Sequence, residues 1–360
     1  MKPSNSQRLL SLDVLRGMTV AGMILVNNGY GESFEMLRHS RWNGMTPCDL
    51  VFPFFLFIMG VSMYVSMAKH DFQPTAPVVR KVLKRTILLF AIGLAIHWFD
   101  MALWGDPWDF AHLRIWAVLQ RIALCYFFAS LFALFCNHRF LLPTIIGLLV
   151  VYTVILLAGN GYSEDASANI LAQVDLRLFG YDHLYHKSPV DPEGLVGTIS
   201  GVAHVLLGFY CGKFVRKEQT IGQKTLAVFV LGTACVVIGY LLTYGLPLNK
   251  RIWSPSYVLV TCGLAALLLA SFMFIIDIHN RKKWAKPFQV FGVNALALYV
   301  ASELLAILFG CFGISEVIYN ALHAVIPGLK WASLAYALTF VAINYAIGYL
   351  LWKRQIFIKL

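Results

Sequence analysis

Charged residues are scarce in this chain. Only 13% of its 360 residues are Asp, Glu, Lys or Arg, whereas 59% are hydrophobic, and the mean hydropathy is +0.70. Soluble domains carry about a quarter charged residues and about half apolar ones. A chain of this size cannot bury that much apolar surface in one soluble core. The composition therefore excludes an ordinary water-soluble domain and predicts a protein that crosses a membrane several times.

Patterned cysteines are also lacking. The seven cysteines are scattered in or beside apolar runs, and none belongs to a CxxC or Cys/His spacing. Scattered cysteines without such spacing imply neither a zinc site nor a disulfide framework. We interpret the cysteines as small packing residues, and we expect no metal.

Apolar runs long enough to cross a bilayer recur along the chain. A crossing helix needs about 20 apolar residues, and windows of that length predict ten spans within one transmembrane domain, residues 1–360. The predicted spans are 9–29, 49–68, 86–103, 113–136, 140–158, 194–212, 225–245, 255–276, 288–311 and 331–352. The third span is short, and 314–330 is an additional amphipathic or re-entrant candidate. We predict an all-α, polytopic membrane bundle of about ten transmembrane helices.

The net charge of +11 is divided unevenly between the two sets of loops. With the amino terminus in the cytoplasm, the loops on that side carry most of the lysines and arginines. By the positive-inside rule, this bias predicts that both termini are cytoplasmic and that His39 faces outside. It also explains the basic charge without nucleic acid as a partner.

The outer connection 159–193 is long and polar, and it combines carboxylates with tyrosines and histidines. Aromatic rings stack on sugar rings and carboxylates bind hydroxyls or an amine, so this composition suits a sugar ligand. Any solvated loop can have the same composition, and both interpretations stay open.

The stretch 36–60 places a histidine where the chain enters the membrane. His39 and the sequence Trp42-Asn43-Gly44 precede Asp49, after which an aromatic-rich apolar run begins. Trp42 is explained by anchoring at the interface, and the neighbouring arginines by snorkelling. Neither effect explains a histidine at that depth.

Polar residues also occur inside the predicted helices, where each costs free energy unless it has a partner or a function. Arg114 and Arg121 are seven residues apart, which predicts two turns along one face of a helix. They either neutralise buried carboxylates or bind a pyrophosphate or acyl oxygen. Asn294 is typical of a hydrogen bond between helices, and we assign Glu303 a structural pairing role.

Six segments, in order, resemble the catalytic transmembrane domain of the heparan-α-glucosaminide N-acetyltransferase family. They are SLDVLRGMTVAGMILVNN, HSRWNGMTPCDLVFPFFLFIMG, LRIWAVLQRIALCYF, PEGLVGTISGVAHVLLGFYCGK, LPLNKRIWSPSYVL and FGVNALALYV. The resemblance runs through roughly residues 9–352. It implies transfer of an acetyl group from cytosolic acetyl-CoA to an amino sugar, of the terminal glucosamine type, across the membrane. For a bacterial homologue, it implies the inner membrane with His39 on the periplasmic side.

The resemblance also implies roles for individual residues. The family's catalytic histidine precedes Trp-Asn-Gly by three positions, which is His39 here. An asparagine at the end of the first helix belongs to the same site, and either Asn27 or Asn28 matches it. A histidine can deprotonate the ammonium and protonate the leaving thiolate, or carry the acetyl group itself. The asparagine would stabilise an oxyanion, and Asp49 would either orient the imidazole or place a favourable charge at a helix start.

Acetyl-CoA is the implied donor substrate, and its anionic nucleotide is expected near the cytoplasmic face. The predicted donor-binding residues are Arg121, Arg114, Gln120, Asn294, Arg85, Lys283 and Arg354. The expected partners are an amino-sugar or glycan acceptor and membrane lipid, and we also consider a homodimer. Two other functions stay open, an O-acetyltransferase of exported glycans or cell-wall sugars and a sugar transporter without chemistry.

Overall fold

The computed structural model describes residues 9–216 and 220–358, and all regular secondary structure within these ranges is helical. The two termini, for which the charge pattern predicts a cytoplasmic location, lie outside the described residues. The α-helices are α1 (Leu10–Asn27), α2 (Val51–Met67), α3 (Ala76–Trp104), α4 (Val118–Phe135), α5 (Leu141–Ala158), α6 (Ile170–Phe179), α7 (Thr198–Arg216), α8 (Ile221–Leu242), α9 (Pro255–Phe272), α10 (Lys286–Val293), α11 (Ala295–Cys311), α12 (Ile314–Val325) and α13 (Leu329–Lys353).

The number of membrane-crossing helices agrees with the sequence prediction. Within the described ranges, nine helices are long and apolar enough to span a bilayer, and the bent pair α10–α11 makes a tenth if it counts as one span. The predicted extra piece at 314–330 contains α12, which buries Ser315 and Tyr319 and exposes Val317 and Val325. The fold is that of a polytopic helical membrane protein.

The third predicted span was too short. Helix α3 has 29 residues, about 44 Å at 1.5 Å per residue, against about 30 Å of hydrocarbon. Its first turns contain Arg80, Lys81, Lys84 and Arg85. Because these cations lower the local hydropathy, the predicted span starts after them, although the backbone is already helical before them.

The predicted helix 113–136 begins too early. Helix α4 starts at Val118, after Ala117 in an extended conformation with φ −158° and ψ −175°. Arg114 therefore precedes the helix, and the prediction that Arg114 and Arg121 share one helix face is wrong. The apolar residues Ile115 and Trp116 gave the extended segment the hydropathy of a helix.

The ninth predicted span is broken at Asn294. Helices α10 and α11 meet there at an angle of 73°, and Asn294 has φ −117° and ψ 37°, outside helical geometry. Its side chain donates to the Ile356 carbonyl at 2.9 Å and accepts from the Ile358 amide at 2.9 Å. Asn294 thereby holds the carboxy-terminal segment against the bend.

Helices α2 and α7 pack backbone to backbone, and α2 follows directly on the turn that contains Asp49. A Cβ atom at Gly60 would be 2.1 Å from the Val205 carbonyl oxygen, and one at Gly208 would be 2.2 Å from the Phe57 oxygen. Small residues allow such close approach between helices in membranes. The position of the helix that follows Asp49 therefore depends on glycines within the bundle.

We expect Gly60→Ala to destabilise the protein by about 1–3 kcal/mol, because the new methyl group meets backbone rather than a movable side chain. Thermal unfolding in detergent measures the effect. Gly147→Ala on α5 is the matched control, since a Cβ there meets nothing within 4 Å. Equal melting temperatures for the two variants would contradict the close packing of α2 on α7.

Candidate active site

The site is built around Asp49, in the short turn Pro47–Leu50 that leads into α2. The Asp49 side chain is fully buried. Its Oδ2 accepts hydrogen bonds from the Thr46 amide at 3.0 Å, the Thr46 hydroxyl at 3.1 Å and the Ser40 amide at 3.1 Å. Thr46 and Asp49 form a capping box. The contacts of Asp49 Oδ2 therefore fit the alternative in which Asp49 stabilises the start of a helix.

The other carboxylate oxygen of Asp49 orients His39. His39 Nδ1 donates to Asp49 Oδ1 at 2.7 Å. Because an ionised carboxylate only accepts hydrogen bonds, Nδ1 carries the proton and Nε2 is the nitrogen that can take one up. The His39 side chain is 46% exposed, whereas Asp49 is 0% exposed. The pair has a buried orienting group and an imidazole open to a reactant.

Lys250 is a third member of this site. Its Nζ lies 3.0 Å from His39 Nδ1, 3.3 Å from His39 Nε2 and 3.5 Å from Asp49 Oδ1. The ammonium is almost equidistant from the two ring nitrogens, so it neighbours the ring rather than pairing with one atom. From the sequence, Lys250 is only one charge of an outer loop, although it stands in the segment LPLNKRIWSPSYVL and on the side with few basic residues.

Hydrogen bonds tie the Lys250 loop to the His39 segment. The Gly44 amide donates to the Leu248 carbonyl at 2.7 Å. Asn249 Nδ2 donates to Asn43 Oδ1 at 3.2 Å, and the Asn249 oxygen accepts from the Ile252 amide at 3.2 Å. The Asn43-Gly44 sequence after His39 therefore positions the lysine that faces it.

Neither candidate asparagine contacts His39 within the described chain. Asn28 is buried, and its Nδ2 donates to the Ile24 carbonyl of its own helix at 2.8 Å. Asn27 Nδ2 faces Glu303 Oε1 at 3.4 Å, a long contact between α1 and α11. The oxyanion role of Asn27 or Asn28 stays a prediction.

Arg114 and Gln120 line a small polar cavity together with Asn27 and Glu303. Arg114 donates to Glu193 Oε2 at 3.1 Å and lies 3.4 Å from Asp191 Oδ1. Of the two roles predicted for Arg114, this pairing fits the neutralisation of buried carboxylates. Burial raises the pKa of Asp191, and the neighbouring Glu193 raises it further.

Arg121 fixes the segment that carries Glu193. Its guanidinium is buried, and Nη2 donates to the Gly194 carbonyl at 2.7 Å and to the Pro192 carbonyl at 3.2 Å. The guanidinium also lies over the Trp253 ring, 5.6 Å from its centroid. Through these contacts, Arg121 holds the 191–197 segment against α4.

The hydrogen-bond partners of His39 in the described chain do not include the remaining predicted donor-binding residues. Arg85 lies twelve residues before His97 on α3, about 18 Å along the helix, and its guanidinium is 4.5 Å from the Tyr126 ring centroid. Lys283 and Arg354 are exposed. Asn294 already bonds the carboxy-terminal segment, so its polar atoms have the structural role weighed from sequence. Contacts of Arg85, Lys283 and Arg354 with acetyl-CoA stay a prediction.

Within the described residues, no cluster of three or more His, Cys, Asp or Glu side chains has the arrangement of a metal site. Cys48 Sγ lies 3.1 Å from His39 Nδ1, but its side chain is buried and packs beneath the ring. The arrangement therefore offers proton transfer at His39 Nε2 and a positive charge at Lys250.

Comparison with known proteins identifies relatives of this arrangement. The family model "Heparan-alpha-glucosaminide N-acetyltransferase, catalytic" matches residues 8–244, which include His39, Asp49 and Arg121 and end before Lys250. Heparan-alpha-glucosaminide N-acetyltransferases of Homo sapiens and Mus musculus are each 28% identical to the chain, over 82% and 84% of its length. These matches cover 53% and 54% of the relatives, so the chain spans about half their length.

We expect Arg121→Ala to lower the free energy of unfolding by roughly 2–4 kcal/mol, because it removes two charged hydrogen bonds and leaves a cavity. Thermal unfolding reports this loss, and titration with acetyl-CoA reports donor affinity. Arg177→Ala, at an exposed arginine of α6, is the control and should change stability by less than about 0.5 kcal/mol. Weaker acetyl-CoA binding at unchanged stability would instead indicate a donor contact.

Proposed function

The chain belongs to the heparan-alpha-glucosaminide N-acetyltransferase family, and from this premise we propose that it transfers an acetyl group across a membrane. The donor is cytosolic acetyl-CoA, and the acceptor is the amine of an amino sugar on the outer side. The observation that carries the proposal is the pair of Asp49, fully buried, and His39, half exposed at 2.7 Å from it. A buried carboxylate that orients an accessible imidazole suits general acid–base catalysis.

His39 acts first as the base and then as the acid. Its Nε2 takes a proton from the acceptor ammonium, and the resulting amine attacks the thioester carbonyl. The new C–N bond forms as the C–S bond breaks, and His39 returns a proton to the CoA thiolate. The other amine proton leaves with solvent, so the products are the N-acetyl sugar, CoA thiol and one proton.

Lys250 stabilises the negative charge that develops on the carbonyl oxygen. Its ammonium lies 3.0–3.3 Å from the two ring nitrogens of His39, so a carbonyl attacked beside His39 is also beside a positive charge. Preorganised donors of this kind contribute about 3 kcal/mol in other enzymes. Asn27 or Asn28 is the alternative hydrogen-bond donor to the carbonyl oxygen, as the resemblance implies.

The loop charges support the sidedness of the reaction. Acetyl-CoA is anionic and impermeant, so its nucleotide stays on the face rich in lysine and arginine, where Arg85, Lys283 and Arg354 are candidate phosphate contacts. By the same charge rule, the segment 28–50 between α1 and α2, which carries His39, is on the other face. In a bacterial cell, that face is the periplasmic side of the inner membrane.

Proteoliposomes test activity and sidedness together. With glucosamine trapped inside and acetyl-CoA supplied outside, we expect N-acetylglucosamine in the lumen and free CoA thiol outside. His39→Ala should reduce the rate by about 10²–10⁴ fold, far more than the loss of its hydrogen bond to Asp49 explains through stability. His112→Ala, at an exposed histidine bonded to Asp109, is the matched control.

Product that forms only when both substrates share one side would contradict the transmembrane route. Acetylation of N-acetylglucosamine but not of glucosamine would replace the proposal by an O-acetyltransferase. Uptake of glucosamine without release of CoA would replace it by a transporter.

We expect Lys250→Met to lower kcat by about 10²–10³ fold, because the side chain keeps its length but loses the charge that stabilises the oxyanion. The KM values for both substrates should change by less than about threefold. Steady-state kinetics and thermal unfolding measure these effects, with Lys330→Met, an exposed lysine, as the control. A loss of stability that accounts for the lost activity would mean that Lys250 is only structural.

A further inference from the structure

A proline stands in the first turn of α2, directly after Asp49. Pro53 has no backbone N–H, so it cannot donate the helical hydrogen bond to the carbonyl four residues earlier, which is that of Asp49. The backbone between them is helical, with φ −87° and ψ −26° at Leu50 and φ −66° and ψ −44° at Val51. An amide at position 53 would therefore face the Asp49 carbonyl. The sequence itself withholds this helical partner from Asp49.

The hydroxyl of Tyr257 takes the place of the missing amide. It donates to the Asp49 carbonyl at 2.5 Å, between two residues that are 208 positions apart in the chain. Tyr257 is fully buried in the first turn of α9, where its amide donates to the Ser254 hydroxyl at 3.3 Å. A buried carbonyl without a hydrogen bond is costly. The tyrosine therefore joins the start of α9 to the start of α2.

This hydrogen bond holds the backbone of the residue that orients His39. Asp49 Oδ1 accepts from His39 Nδ1 at 2.7 Å, and Asp49 Oδ2 accepts from the Thr46 and Ser40 amides. With the Tyr257 contact, the carbonyl and both carboxylate oxygens of Asp49 are bonded. A displacement of a catalytic group by about 1 Å lowers a rate by as much as about 100-fold. The position of the Asp49 backbone is therefore a requirement of the site.

The same tyrosine packs against the turn that carries Lys250. In this turn the Trp253 amide donates to the Lys250 carbonyl at 3.0 Å, and the Ser254 amide donates to the Asn249 carbonyl at 3.0 Å. Trp253 has φ 52°, in the left-handed region where such turns usually have glycine. Its ring lies edge-on to the Tyr257 ring, with centroids 5.4 Å apart. Tyr257 thus contacts the support of Lys250 with its ring and that of His39 with its hydroxyl.

We propose that Tyr257 is a positioning residue of the active site, whose hydroxyl holds the Asp49 backbone in place of the amide that Pro53 lacks. The inference rests on the proposed acetyl transfer. Tyr257 acts through Asp49 and not on a reactant. It lies outside residues 8–244, the part of the chain that the family model matches.

Tyr257→Phe keeps the ring and removes only the hydroxyl. We expect kcat to fall about tenfold, equivalent to about 1.4 kcal/mol in the barrier, because Asp49 no longer holds the imidazole in one orientation. The KM values of acetyl-CoA and glucosamine should change by less than about threefold, since the hydroxyl binds neither substrate. Steady-state kinetics well below the melting temperature separate this effect from unfolding.

Tyr336→Phe is the matched control. It removes another buried tyrosine hydroxyl, which donates to the Ser315 hydroxyl at 2.8 Å between α13 and α12. A comparable loss of stability is expected from the loss of one buried hydrogen bond. Its kcat should stay within about twofold of wild type, because this bond does not involve the active site.

Pro53→Ala tests the cause of the effect, because alanine restores an amide opposite the Asp49 carbonyl. It also keeps the carbonyl of position 53, which accepts from His204 Nε2 at 2.8 Å. In the Pro53→Ala protein, Tyr257→Phe should lower kcat by less than about twofold, since two donors that share one acceptor are not additive. Pro53→Ala alone should leave kcat within about threefold of wild type.

Thermal unfolding of the same proteins in detergent measures this coupling without turnover. Tyr257→Phe should lower the melting temperature by about 2–4 °C when Pro53 is present. The decrease should be less than half as large in the Pro53→Ala protein, where the new amide satisfies the carbonyl. The two substitutions are then non-additive in stability as well as in kcat.

Two outcomes would overturn the inference: an unchanged kcat in Tyr257→Phe, or an equal loss of kcat with and without Pro53. If Pro53→Ala does not fold, equal kcat values for Tyr257→Phe and Tyr336→Phe would overturn it instead. Failure of the proposed function has a different signature. The wild type itself would then form no N-acetylglucosamine from acetyl-CoA and glucosamine, whereas the melting temperatures would still be non-additive.

Discussion

A buried carboxylate is costly unless hydrogen bonds and a nearby charge compensate it, and Asp49 is the residue where this constraint acts. Backbone amides and a hydroxyl from residues 40–46 satisfy one oxygen, and His39 satisfies the other. Lys250 supplies the opposite charge at 3.5 Å. The requirement to compensate one carboxylate therefore orders the His39 segment, the start of α2 and the loop before α9.

That arrangement needs rigid support, which the bundle provides without a soluble core. Helices α2 and α7 approach until only glycine fits at Gly60 and Gly208, and Arg121 ties α4 to the segment that carries Glu193. The turn that contains Asp49 thus leads directly into a helix whose separation from its neighbour is determined by backbone contact.

In the proposed reaction, His39 transfers protons, Asp49 orients the imidazole and Lys250 stabilises the charge on the carbonyl oxygen. Contacts through Tyr257, Trp253 and Arg121 join this site to the segment that carries Glu193.

The sequence alone determined the class of protein and, to within one among the described residues, the number of helices long enough to span a membrane, and it singled out His39. Length and apolar composition are local properties, and a bilayer converts them directly into crossing helices. The tertiary structure decided which distant residues meet: Lys250 beside His39, Asn27 opposite Glu303, and Arg114 on an extended segment beside Glu193. Such pairings follow from how helices and loops pack, and neither hydropathy nor helical period encodes them.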